Sequence, residues 1–155
     1  MNKHFLEVIQ SLEPSFQKLI AMPPVTALTL PQAIPTAGIY LFSEDGAHLY
    51  VGRTRNIRER IARHTRPGAT HRMAAFAFRL ARKATSNPTA TYKKEGSRGN
   101  LMENPEFRFA FDEAKKRIRA MELRFVEEND PIRQALLEIY VAVSLDTDYN
   151  YFDTH

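Results

Sequence analysis

Two tyrosines ten positions apart, an arginine ten positions further on and a single glutamate in an uncharged run are the groups in this chain best suited to chemistry. Tyr40 and Tyr50 lie in Gly38-Ile39-Tyr40-Leu41-Phe42 and His48-Leu49-Tyr50-Val51-Gly52, two β-prone runs on either side of an Asp45-Gly46 turn signal. A three-residue loop, Glu44-Asp45-Gly46, has glycine where the left-handed conformation is needed, and pairs Ile39 with Val51, Tyr40 with Tyr50 and Leu41 with Leu49. Ile39, Leu41, Leu49 and Val51 then form one apolar face and the tyrosines share the other. A two-residue Asp45-Gly46 turn would instead pair Leu41 with Tyr50 and split the tyrosines between faces. Side by side, the tyrosines serve either as a cross-strand aromatic pair or as part of a site.

Arg60 and His64 are one helical turn apart, flanking the Ile57–Ile61 stripe, while Arg58 and Arg63 point further outward. A guanidinium at the rim of a core suits a fixed phosphate clamp, or it lays its stem over apolar neighbours. Glu138 lies within Ala135-Leu136-Leu137-Glu138-Ile139-Tyr140-Val141-Ala142-Val143. An ionised carboxylate buried there costs several kcal/mol unless a metal ion, an arginine such as Arg60 or an open site compensates it.

The elements that position these groups can be read from patterning. Residues 3–20 form an amphipathic helix interrupted at Pro14, followed by a connector holding Pro23, Pro24, Pro31 and Pro35. After the hairpin, Asn56 opens a helix, with Glu59 at capping-box spacing. Helices are expected over 71–84 and 106–115, separated by a long polar loop from Thr85 to Asn104 in which Tyr92, Lys93, Lys94 and Arg98 could contact a partner. Lys116 to Phe125 alternates like a third strand. Asp130-Pro131 then caps an almost wholly apolar helix over 131–145, expected to be buried. The order predicts an α+β fold, a small three-stranded antiparallel sheet flanked by helices with an extra N-terminal helix.

The chain has 155 residues, no cysteine and a formal net charge of +4. Disulfides and thiolate metal sites are thereby excluded, and a cytoplasmic location is expected. No apolar run approaches the roughly 20 residues that span a bilayer, so no membrane partner is expected. From Arg53 to Lys83 lie ten arginines and lysines against one acid, Glu59. Such a stripe suits a polyanion, with Arg53, Arg55, Arg58 and Arg63 as phosphate contacts, or a solvated basic face.

Gly38-Ile39-Tyr40 and Tyr50-Val51-Gly52, with Arg60 ten residues after the second tyrosine, resemble the motif of the GIY-YIG nucleases. The resemblance covers about residues 37–152. Glu138 matches the family's metal-binding glutamate, Asn150 the asparagine twelve residues after it, and His64 a histidine carried by some restriction-enzyme-like members. Val51 replaces isoleucine, and Arg53 stands where lysine is more usual. The resemblance implies a domain from 37 to 155, with an inserted helical and loop region at about 67–115, preceded by the helix and connector of 1–36.

It also implies a metal-dependent endonuclease that hydrolyses DNA through one ion, Mg²⁺ or Mn²⁺, on Glu138. Arg60 and Arg53 would neutralise the phosphate, Tyr40 would take the water's proton, Tyr50 would orient water or phosphate, and His64 is a competing base. Asn150 would anchor the chain end near the site and its phosphates. The alternative is a nucleic-acid-binding module that kept the scaffold without cleaving. Oligomeric state stays open: a monomer would nick one strand, whereas a dimer could cut both.

Overall fold

The structure is a computed structural model and describes residues 1–86 and 98–152. It divides into two compact units, one made of residues 1–60 and 121–155 and the other of residues 61–120.

In the first unit, strands β1 (Gly38–Glu44), β2 (Ala47–Thr54) and β3 (Glu122–Glu127) form a sheet in the order β2-β1-β3, antiparallel throughout. This is the expected three-stranded α+β arrangement. The hairpin register differs from the expected one. Asp45 and Gly46 both take left-handed conformations, with φ of 51° and 81°, and make a two-residue turn with Glu44 opposite Ala47. Asp-Gly suits such a turn because its twist matches that of the strands. A bulge then inserts an extra residue, Leu49, so that Phe42 faces Tyr50, Leu41 faces Val51 and Tyr40 faces Gly52. The bulge reverses the face swap that the two-residue turn alone would impose. Tyr40 and Tyr50 therefore share a face as diagonal neighbours, not as a direct pair.

Ile39, Leu41, Val51 and Val126 line the other face, where Leu12, Phe16 and Leu19 and then Leu137, Val141 and Ala142 bury them. Leu12 precedes, and Phe16 and Leu19 belong to, helix α2 (Glu13–Ala21). Helix α1 (Lys3–Gln10) comes before it, and Pro14 occupies the first turn of α2, where a missing amide costs nothing. The connector is tied to the sheet edge by Val25 opposite Leu123, and the Arg124 guanidinium donates to the Met22 carbonyl at 2.9 Å.

Helix α7 (Pro131–Leu145) starts on the Asp130 cap, whose carboxylate accepts from the Arg133 amide. Its expected full burial does not hold. Ile132, Ile139 and Val143 are 70%, 47% and 73% exposed, because the helix packs on the sheet along the single stripe of Leu137, Val141 and Ala142.

Helix α3 (Ile57–Thr65) begins in the first unit, with the Asn56 side chain accepting from the Glu59 amide, and ends in the second. The second unit adds α4 (Ala75–Ala84), α5 (Arg98–Glu103) and α6 (Pro105–Arg119). Three expectations change here. Helix α4 begins at Ala75, since residues 71–73 form a turn. Part of the expected loop, 98–103, is helical, while Tyr92, Lys93 and Lys94 lie outside the described residues.

Residues 116–119 extend α6 and do not open a strand, so β3 begins only at Glu122. The buried set Phe107, Phe111, Ala114, Lys115 and Ile118 has helical spacing, and this outweighs the short alternation that ends in Phe125. Lys115 is buried and donates to the carbonyls of Pro67 and Ala69 at 2.7 and 2.9 Å, fastening the turn after α3 to α6. Among the described residues, no helix is long and apolar enough to cross a membrane.

Candidate active site

The two motif glycines exist because something occupies the space of their missing side chains. A Cβ on Gly38 would lie 2.0 Å from the Val126 carbonyl oxygen on the neighbouring strand. A Cβ on Gly52 would lie 2.2 Å from the Tyr40 hydroxyl oxygen. Tyr40 therefore folds its phenol over the bare backbone of Gly52, its partner across the sheet. Its ring is 1% exposed, 5.9 Å from Phe42 and 6.3 Å from Tyr50, centre to centre.

Arg60, in the first turns of α3, donates from Nε to the Tyr40 hydroxyl at 3.3 Å and also bonds Tyr50. Burial is the main influence on Tyr40 and pushes its ionisation far above the usual 10. Tyr50 adds to that rise and Arg60 opposes it. Burial alone would lower Arg60, but the two phenols outweigh it and hold the guanidinium more firmly charged. A cation is thus fixed between two hydroxyls.

Glu138 projects from the middle of α7 toward β2. Its carboxylate lies 3.9 Å from Arg53 Nε, with the two side chains 20% and 50% exposed. A pair this open contributes at most about 1 kcal/mol. Burial raises the Glu138 carboxyl above its usual value, while Arg53 and then Arg60 pull it back. The anomaly read from the sequence therefore resolves into a partly desolvated carboxylate with two arginines in range.

Asn150 completes the first unit's set. Past α7, Asp146 turns the chain in a left-handed conformation, and the tail returns along the free edge of β2. Asn150 accepts from the Val51 amide at 2.8 Å and donates to the Val51 carbonyl at 2.7 Å, acting as one residue of a missing strand. The Tyr149 amide adds a bond to the Leu49 carbonyl at 3.0 Å, and the Thr147 hydroxyl holds the Asn150 amide oxygen at 2.8 Å. The sequence reading missed Thr147, and only its spacing of three from Asn150 could have suggested it.

Tyr40, Tyr50, Arg53, Arg60 and Glu138 are thus brought together in one unit. The other candidates are used differently. The Arg58 guanidinium donates to the carbonyls of Pro31 and Gln32 at 2.6 and 2.9 Å, holding down the proline-rich connector. Arg55 is exposed between β2 and α3. Arg63 and His64 fall in the second unit, where Arg63 is exposed and His64 is buried, edge-on to Phe76 at 6.4 Å.

Among the described residues, no three histidines, aspartates or glutamates gather as a metal cage. A lone, partly desolvated carboxylate fits a hard cation that keeps most of its waters, as Mg²⁺ commonly does. It does not fit a metal that requires several protein ligands.

The family model described as the GIY-YIG catalytic domain matches residues 36–143 of this chain. Neither a curated protein nor a solved structure gives a match. The match spans well over half of the 155 residues and contains both glycine-tyrosine motifs, Arg60 and Glu138. The chain belongs to the GIY-YIG catalytic domain family, whose function is of the nuclease type, generally metal-dependent and directed at nucleic acid.

Proposed function

We propose that this protein is an endonuclease that hydrolyses DNA phosphodiester bonds at the cluster of Tyr40, Tyr50, Arg53, Arg60 and Glu138, with one divalent ion, Mg²⁺ or Mn²⁺. The observation that carries the proposal is the Arg60 guanidinium, held by two phenols in the same unit as the half-buried Glu138. A cation fixed in advance stabilises charge developing on a phosphate without reorganising at the moment of reaction.

A water attacks phosphorus and its proton passes to the Tyr40 oxygen, while the bond from phosphorus to the 3′ oxygen breaks and that oxygen takes a proton from solvent water. The ends are a 5′-phosphate and a 3′-hydroxyl. Tyr40 can accept the proton only as phenolate, and burial opposes that form, so the surrounding positive charge has to favour it. Arg60 neutralises the phosphoryl oxygens, Arg53 assists from the rim, and Tyr50 orients water or phosphate. A divalent cation on Glu138 supplies Lewis-acid polarisation of the phosphate, charge for the departing oxygen and a field favouring the Tyr40 phenolate. Asn150 holds β2 in place through Val51. His64, packed on Phe76, is assigned no step. Arg55 and Arg63, both exposed, are proposed to meet flanking phosphates.

The test is plasmid cleavage by purified protein with Mg²⁺, with EDTA, and by Glu138→Ala and Tyr40→Phe. Nicked or linear product from wild type alone, with Tyr40→Phe reduced roughly 10²–10⁴-fold, is the expected result. Salt-sensitive binding with no cleavage of any DNA form would instead favour a binding module.

A further inference from the structure

The charge of the chain is divided unequally between its two units. Residues 61–120 hold fourteen lysines and arginines against five aspartates and glutamates, a formal +9. The remainder holds eight against thirteen, a formal −5. The unit bearing the hydrolytic cluster is thus acidic as a whole, with its positive charge concentrated at Arg53, Arg55, Arg58 and Arg60. Affinity for a nucleic-acid backbone grows with the number of phosphates neutralised, so an acidic catalytic unit calls for cations elsewhere.

Within 61–120, positive groups crowd around one aromatic ring. Arg98, at the start of α5, places its guanidinium 4.9 Å from the centre of Phe78 and donates to the His71 carbonyl at 3.3 Å. Arg82 lies 5.0 Å from the same ring. Phe78 is itself fixed against Phe107 at 5.1 Å and Phe111 at 6.3 Å, so the platform is rigid. Arg79 and Arg72 lie within electrostatic range of this group. Burial and then Arg79 lower the ionisation of Arg98, and burial followed by Arg72 and Arg98 lowers that of His71.

An anion reaching several guanidinium groups at once gains from each of them. A guanidinium stacked on a ring and bonded to a carbonyl has already lost most of its freedom, which suits it to a phosphate. Arg72 is exposed, and Arg79 and Arg98 are partly so, leaving an anion a way in.

We propose that the 61–120 unit is a docking module for the DNA backbone, in which Arg72, Arg79 and Arg98 hold phosphates other than the one being cleaved. The proposal takes DNA as partner from the hydrolytic reading and adds where the binding free energy resides.

The full-length protein is titrated against a short labelled DNA duplex in EDTA at several KCl concentrations, and the slope of log affinity against log salt is measured. Arg72→Gln is expected to lower that slope by about 1 and Arg72→Gln/Arg79→Gln by about 2, since each phosphate contact contributes about 0.9. Arg98→Lys keeps the charge but loses the stacked fork, so affinity falls while the slope holds. Lys116→Gln/Arg117→Gln, two exposed cations of the same unit on α6, is the charge-matched control and is expected to change the slope less. Circular-dichroism melts confirm that each variant folds.

An unchanged slope in the double variant, or an equal fall in the control, overturns the docking site. Plasmid cleavage by wild type with Mg²⁺, run in parallel, separates the two readings. Cleavage with an unaltered slope removes docking alone, and a reduced slope without wild-type cleavage removes hydrolysis alone. A slope loss confined to an RNA duplex overturns DNA as the partner.

Discussion

Gly52 has no side chain, and the Tyr40 hydroxyl fills the place one would take. Gly52→Ala must therefore displace either the Tyr40 ring or strand β2. Overpacking of this kind costs about 1–3 kcal/mol, readable as a lower urea midpoint, and cleavage should fall with it. Gly68→Ala, where a Cβ meets nothing within 4 Å, should leave both unchanged. Glu138 carries the opposite trade. Burial, partly offset by Arg53 and Arg60, raises its pKa, so the folded chain holds that proton more tightly than the unfolded chain does. Stability from this group is present below the ordinary value of 4.5 and is lost as pH rises through the raised one. At pH 7 the ionised carboxylate is thus a cost to the fold. Glu138→Gln is expected to raise Tm at pH 7 in EDTA, while Mg²⁺ raises Tm of wild type and not of the variant. A lower Tm for the variant would mean that the Arg53 pair outweighs burial.

Among the elements, β2 is the edge strand that carries Tyr50 and Arg53, and its free side is closed by a tail rather than by a fourth strand. Two amide bonds from Asn150 to Val51 replace one rung of ladder. Asn150→Ala is expected to cost about 1–3 kcal/mol in chemical denaturation, because two backbone groups lose their partner. Hydrogen exchange at the Val51 amide should speed up in the same variant. Asn150→Asp keeps the acceptor for the Val51 amide but sets a carboxylate oxygen against the Val51 carbonyl, and should be no more stable than alanine. Unchanged exchange at Val51 would show that the Tyr149 bond to Leu49 suffices. The hairpin teaches a related point: its turn followed Asp45-Gly46, and a bulge at Leu49, which no turn rule supplies, kept the tyrosines on one face.

For the whole molecule, charge and the proposed chemistry fall on different stretches of chain, with a net positive unit over 61–120 and an acidic one around the proposed hydrolytic cluster. Raising salt from about 50 to about 200 mM should therefore weaken DNA binding by orders of magnitude while leaving the cleavage rate at saturating DNA nearly constant. KM and kcat measured across that range would separate the two. Parallel falls in kcat would place the salt-sensitive contacts in the transition state itself.

The sequence by itself determined the chemistry-bearing types and their order. Tyr40, Tyr50, Arg60 and Glu138 were legible because short-range rules governed them, through alternation along strands, a cap at Asn56 and a carboxylate inside an uncharged run. The caps at Asn56 and Asp130 and the three-stranded sheet were legible for the same reason. Tertiary structure decided whatever depends on which surfaces meet. Ile132, Ile139 and Val143 stayed in water because one stripe of α7 was enough to cover the sheet, and residues 116–119 stayed helical because Lys115 and Ile118 were already committed to a buried face. It also decided that Arg58 serves the connector, that Asn150 serves Val51, and that Arg98 is held by Phe78. A side chain's type can be read locally, but its partner is chosen by packing between residues that are far apart in the chain, as Arg124 and Met22 are, which no local pattern encodes.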